Sequence, residues 1–177
     1  MRPGTVFAVY ANTGGNYFFA EIRDLLCAGL RDLGMSAVAA DQTGGYIARA
    51  HWHIVVAPHE FFVFGAGMRL GRMPRPENLI LYNTEQPVTE WFKLARKAFP
   101  SARAVWDADA ATSARLRAEG FPSLHVPLGY SSSSGLFDAV QAVPRRPPLA
   151  HFTAETLNGG PKNVGFAGRP LDILFVG

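Results

Sequence analysis

Residues 53–62 read HIVVAPHEFF, and residues 78–87 read NLILYNTEQP. Each opens on a run of successive apolar side chains, His53 to Ala57 and Asn78 to Tyr82, and then breaks into polar residues and a proline. A strand with one wet face alternates apolar and polar residues. These two do not, so both of their faces are covered, as in a parallel sheet with helices packed on either side. The runs are 4–8 residues long and rich in Val, Ile, Leu and Tyr, which favours strands over helices.

The same unit recurs on both sides of this pair. Upstream, Val6 to Ala11 is a first strand. It is followed by Phe18, Ile22, Leu25, Leu26, Leu30 and Leu33, spaced by threes and fours as one helical stripe, with Gly34 where a helix stops. Ser36 to Ala40 is a second, weaker strand. Downstream, Ala102 to Trp106 and Leu124 to Leu128 are the fifth and sixth. Thr89 to Ala98 and Ala108 to Glu119 read as helices between the later strands, and Gly120 stops the second. Strand–helix alternation of this kind predicts a doubly wound α/β domain over residues 1–130. Its sheet is mainly parallel, six-stranded and Rossmann-like, with the first strand central and right-handed crossovers.

Residues 131–171 are different. They hold Ser131 to Ser134, then PRRPP at 144–148, then NGGP at 158–161, and no periodicity persists. This is a linker or irregular crossing segment. Residues 172–177, DILFVG, read as a new strand that opens a second domain, so the chain is expected to be the first half of a longer, truncated protein. A last strand added to the existing sheet is the other reading.

Composition narrows the class. The chain has 177 residues, 48% hydrophobic and 18% charged, which suits a globular protein and excludes a disordered one. Seventeen basic against fourteen acidic side chains leave a net charge of +3, too small to argue for a nucleic-acid partner. Arg outnumbers Lys 14 to 3, which a GC-rich coding bias explains. The single cysteine, Cys27, sits in the apolar helix pattern, so a buried, inert thiol and a reducing, cytoplasmic compartment are expected. No run is long enough for a transmembrane segment, and the N-terminus lacks the pattern of a signal peptide.

In an open α/β sheet, ligands bind beyond the carboxyl ends of the strands, near the point where strand order reverses. After the first strand comes Asn12-Thr13-Gly14-Gly15-Asn16. Its glycines let backbone N–H groups turn toward a phosphate or sugar hydroxyl at the helix N-terminus. A plain tight turn with Asn16 or Thr13 capping the helix explains it equally well. After the third strand come His59 and Glu60. A His and a Glu there supply a base or hold a substrate hydroxyl, or else Glu60 sits in a first helical turn and His59 makes a local cap. Neighbouring helix positions diverge, so His59 and Glu60 are not a dyad. After the fourth strand come Asn83, Thr84, Glu85 and Gln86. Four hydrogen-bonding side chains after so apolar a strand are costly if buried unpaired, which points to a binding edge, with Glu85 the leading carboxylate.

Other patterns are weaker. Gly65, Gly67 and Gly71 are spaced GxGxxxG and lead into prolines, which is not a dinucleotide fingerprint. His51 and His53 lack partners for a metal site, and Ser131 to Ser134 lack a nucleophile-elbow context.

IVVAPHEFF, LILYNTEQP, the helix with Trp91, ARAVWD and LHVPLGY together resemble the N-terminal domain of bacterial GT-B-fold glycosyltransferases, of the spore-maturation-protein-like and family-1 type. DILFVG resembles the strand that opens their second domain. The resemblance spans residues 5–130 and 172–177. It implies an acceptor-binding first domain, a nucleotide sugar held mostly by a second domain, no metal and no cofactor beyond that donor. It also places Gly14 and Gly15 near donor or acceptor, and His59 and Glu85 on cleft-facing loops. The partners implied are a nucleotide sugar and a hydroxyl-bearing acceptor, with peripheral membrane contact compatible and no nucleic acid. A free-standing Rossmann-like nucleotide-binding domain and a non-catalytic interaction module are the alternatives. Without a second domain the chain is expected to be inactive.

Limited proteolysis is expected to cut first between about residues 131 and 170, ahead of any site in residues 1–130. Equal resistance of the two stretches, read by mass spectrometry of the first fragments, would remove the linker reading.

Overall fold

The computed structural model describes residues 4–64, 75–129 and 131. The expected linker beyond Ser131, the strand at 172–177 and the glycines at 65–71 lie outside the described residues.

The described residues form six strands and three α-helices, in the order β1 (Val6–Ala11), α1 (Tyr17–Asp32), β2 (Ser36–Asp41), β3 (Trp52–Val56), β4 (Leu79–Asn83), α2 (Glu90–Arg96), β5 (Ala104–Asp107), α3 (Ala110–Ala118) and β6 (Ser123–His125), with no α-helix described between β2, β3 and β4. They form one sheet in the order β2-β1-β3-β4-β5-β6. Every neighbouring pair is parallel, so all six carboxyl ends share one edge. The α/β, all-parallel reading is what the structure shows. β1 is interior, but the middle pair is β3 and β4, which corrects the expectation that β1 is central. The order reverses between β1 and β3. Accordingly α1 covers one face while α2 and α3 cover the other, as crossovers of a single hand require.

The two faces sort cleanly along each strand. Phe7, Val9 and Ala11 of β1 pack with Phe19, Ile22, Cys27 and Leu30 of α1. Ala8 and Tyr10 point the other way, into a core with Phe61, Leu81, Phe92, Phe99 and Leu116. Every residue of β4 is buried. Cys27 is buried as expected, and burial is the main reason its thiol is pushed up to about 11.

Local chemistry sets the boundaries. Asn16 caps α1, its side chain accepting the Phe18 N–H at 3.1 Å. Thr89 and Asp109 cap α2 and α3 in the same way. Gly34 and Gly120 both have positive φ directly after helices, the conformation in which glycine ends a helix. β5 begins at Ala104 rather than Ala102 because the turn Phe99–Ser101 takes up the chain first. β6 ends at His125 rather than Leu128. The Val126 N–H still reaches the Asp107 carbonyl at 2.8 Å, but Pro127 has no N–H to continue the ladder.

Leu81 is fully buried in β4, whereas Val88 is 84% exposed. Leu81→Ala should therefore cost about 2–5 kcal/mol. Val88→Ala should stay within about 0.5 kcal/mol of the parent. Urea denaturation of the two variants checks both values.

Candidate functional site

The loops after β1, β3 and β4 converge on the carboxyl edge, where the order reverses. The turn after β1 is held by protein side chains. The Thr13 N–H donates to Gln42 Oε1 at 2.9 Å, and the Gly14 N–H to Asn12 Oδ1 at 3.1 Å. Glu60, from the turn after β3, reaches across: its Oε1 accepts from Asn12 Nδ2 at 3.2 Å and from the Asn16 N–H at 3.3 Å. The carboxylate thus lies at the N-terminus of α1, where a negative group is favoured. It also explains Gly15, because a Cβ there would overlap the Glu60 carboxylate. Glu60 stands where the sequence suggested a ligand anion, and Asn16 is the helix cap.

β3 ends in a tight reversal. Ala57 takes φ 48°, a left-handed conformation that costs a non-glycine residue about 1–2 kcal/mol. Its N–H still bonds the Tyr82 carbonyl at 3.0 Å, while its carbonyl accepts the Phe61 N–H at 3.0 Å. One residue thus closes the ladder and opens the single π-turn Glu60–Phe64. The turn sends Glu60 toward α1 and His59 toward β4, so the two are not a dyad.

His59 and Glu85 meet instead. His59 Nε2 lies 3.5 Å from Glu85 Oε1. The imidazole is nearly enclosed, edge-on to Phe19 and beside Trp91 with ring centres 6.1 Å apart. Glu85 is the more open member, its side chain 17% exposed. Thr89 Oγ1 lies 3.4 Å from the other carboxylate oxygen of Glu85. Burial is the main cause holding His59 below its ordinary value, and the Glu60 carboxylate pushes partly back. Burial also lifts the Glu85 carboxyl above its usual range; the Thr89 bond opposes the lift and Glu60 adds to it. Both shifts favour the uncharged forms.

Asn83 anchors the next loop. Its Nδ2 donates to the Glu85 carbonyl and to Asp107 Oδ2, both at 2.8 Å. Its Oδ1 is buried and has no hydrogen-bond partner in the protein, and the same holds for Thr84 Oγ1 and His59 Nδ1. An unpaired buried polar atom costs about 1–3 kcal/mol, so three at one edge need a physical reason. Asp107 Oδ1 accepts the Asp109 N–H at 2.8 Å, and burial leads in raising the Asp107 carboxyl.

The edge is acidic. The residues directly after the strands (12–16, 41–46, 57–60, 83–89, 107–109 and 125–129) include Asp41, Glu60, Glu85, Asp107 and Asp109, and no Lys or Arg. Arg23 of α1 reaches the end of β2, but it donates to the Ala40 carbonyl and pairs with Asp24.

Of the residues singled out from sequence, His59, Glu85, Asn83 and Thr84 lie on two adjacent loops. Gly14, Gly15 and Asn16 form the turn held by Gln42, Asn12 and Glu60. Gln86 is exposed at the start of the Thr89-capped turn, its carbonyl accepting the Thr89 N–H at 3.0 Å. Sequence reasoning missed Gln42 and Asp107 as parts of this edge, gave Asn12 and Trp91 no role of their own, and did not place Glu60 at the N-terminus of α1. A polar side chain at the carboxyl end of a buried strand was the available signal for Asp107. Among the described residues there is no group of three metal-ligating side chains and no helix long and apolar enough to cross a membrane. Comparison with protein-family models, curated proteins and solved structures returned no match.

Glu60 raises both members of the pair, so Glu60→Gln should lower the pKa of His59 and of Glu85 together, as read by NMR titration of the imidazole and carboxyl signals. For stability the His59 sign is fixed by its depressed value. Its contribution is fully present above the free-histidine value of about 6.5 and is lost as pH falls through the lower folded value. Glu60→Gln moves that loss to lower pH, visible in urea midpoints taken across the acid range.

Proposed function

We propose that this domain is the acceptor-side half of a nucleotide-sugar-dependent glycosyltransferase. The observation that carries the reading is the His59–Glu85 pair, 3.5 Å apart at the carboxyl edge of β3 and β4. Transfer from a nucleotide sugar needs a base for the acceptor hydroxyl. Glu85 is the more exposed member and has a raised pKa, so it takes that role. His59 sits behind it as a positioning residue. Its preference for the neutral form keeps it from locking Glu85 into an ion pair.

In an inverting transfer the acceptor O–H gives its proton to Glu85. The oxygen attacks the anomeric carbon, and the bond from that carbon to the nucleoside diphosphate breaks with its electron pair leaving on the diphosphate. A departing diphosphate needs donors or cations. The described loops after the strands offer five carboxylates and no Lys or Arg, and the turn at Gly14 already holds the Glu60 carboxylate. The edge therefore suits an acceptor, and the donor's diphosphate falls to groups outside it.

Titrating the 177-residue chain with a panel of nucleotide sugars, followed by amide shifts and calorimetry, tests this. Two or three net hydrogen bonds of about 0.5–1.5 kcal/mol each correspond to roughly millimolar affinity or weaker, and that is the expected result, with no transfer. Micromolar or tighter binding would overturn the reading in favour of a free-standing nucleotide-binding domain.

A further inference from the structure

We propose that His51 and His53 form an acid-sensitive latch. With both imidazoles neutral, the connector between β2 and β3, residues 42–51, is held on β1, and protonating them releases it. The inference goes beyond the acceptor-side reading and does not depend on it.

The connector carries no described helix. Its backbone meets β1 at two places. The Ile47 N–H donates to Tyr10 Oη at 2.9 Å, and Tyr10 Oη lies 3.0 Å from His53 Nδ1. The His51 N–H donates to the Val6 carbonyl at 2.8 Å, and the Val6 N–H donates back to His51 Nδ1 at 3.1 Å. A backbone N–H can only donate, so His51 Nδ1 accepts and its ring is neutral with the proton on Nε2. Tyr10 is fully buried. Its oxygen takes the Ile47 N–H, so its own hydrogen goes to His53 Nδ1, which fixes the same tautomer there. Gln42 begins this connector, and its Oε1 accepts the Thr13 N–H, so the latch also bears on the turn after β1.

Protonation acts on both bonds, because an imidazolium carries a hydrogen on each nitrogen. At His51 the new Nδ1 hydrogen faces the Val6 N–H, donor against donor. At His53 it faces Tyr10 Oη, which would then accept twice. That leaves the Tyr10 hydrogen unpaired in a buried site and a charge beside it. The titratable groups facing His53 are Tyr10 of β1 and Tyr46 of the connector, their ring centres 5.8 and 6.0 Å from its own. Burial pushes the Tyr10 phenol up to about 12 and raises that of Tyr46 as well, so neither ionises in acid. Among the described residues no carboxylate forms an ion pair with either imidazole. Burial is what lowers His53. The latch is therefore whole above the free-histidine value of about 6.5 and is lost as pH falls through the lower folded value of His53.

Native-state hydrogen exchange on the full chain tests this, with each amide rate taken relative to the free-peptide rate at the same pH. The protection of Ile47 and Val6 is expected to fall about tenfold per pH unit once the imidazole signals titrate, one proton being taken up per bond released. The Leu81 amide, in the middle of β4, should keep its protection over the same range. A glutamine oxygen accepts at any pH, so His51→Gln with His53→Gln should hold Ile47 and Val6 protected throughout. Tyr10→Phe is the second variant: it should leave Ile47 weakly protected at every pH while Val6 keeps its acid dependence. Flat protection of Ile47 and Val6 while the imidazoles titrate overturns the latch. So does the same acid loss in the double glutamine variant, or a loss at Leu81 in step with the other two.

Discussion

A carboxylate spans the place where the strand order reverses. β1 and β3 are neighbours, yet the chain leaves β1 toward β2 and β3 toward β4, in opposite directions along the sheet. Glu60 bridges their loops, accepting from Asn12 and from the N-terminus of α1. This bond sets the position of the turn at Gly15, the start of α1 and the direction of the π-turn that carries His59. Because Glu60 points to α1, His59 is left to face β4. The His59–Glu85 pair is a consequence of that division.

The fold was readable from the sequence because it rests on local, repeated signals. HIVVA and NLILY are apolar on both faces, and only a doubly covered parallel sheet buries both. The stripe from Phe18 to Leu33 has one apolar face, and α1 buries it. Positions that depend on a single hydrogen bond were harder. β6 stops where Pro127 interrupts the ladder, and β5 starts late because of the turn at Phe99–Ser101. The rank of β1 within the sheet was misjudged for a different reason. Strand order is a long-range property, and adjacent strand–helix units are compatible with more than one order.

The site was readable in part. The carboxyl-edge rule picks out His59, Glu85, Asn83 and Thr84 by position alone. It does not say which groups turn toward each other across loops far apart in sequence. Glu60 lies 44 residues from Asn16, and Asn83 lies 24 from Asp107. Nothing periodic links such pairs. The glycines at 14 and 15 were ambiguous for the same reason. A glycine admits a close approach, but only the three-dimensional structure shows that the approaching group is a carboxylate of the same chain.

That ambiguity bears on what the edge can recognise. Small backbone turns at helix N-termini suit anions, and a sequence with two glycines there invites a phosphate reading. Here the Glu60 carboxylate already satisfies the Asn16 N–H, and an incoming phosphate would meet it and add charge to an edge of like sign. The costs gathered on the neighbouring loops, a left-handed Ala57 and three buried atoms without partners, are carried by β3 and β4, the two middle strands of the sheet and both largely buried. Strain persists only where the surroundings over-determine it. Parallel neighbours on both sides, with helices above and below, supply that constraint. The most strongly held part of the fold is therefore where the chain can maintain a left-handed residue and three unpartnered polar atoms in a fixed arrangement.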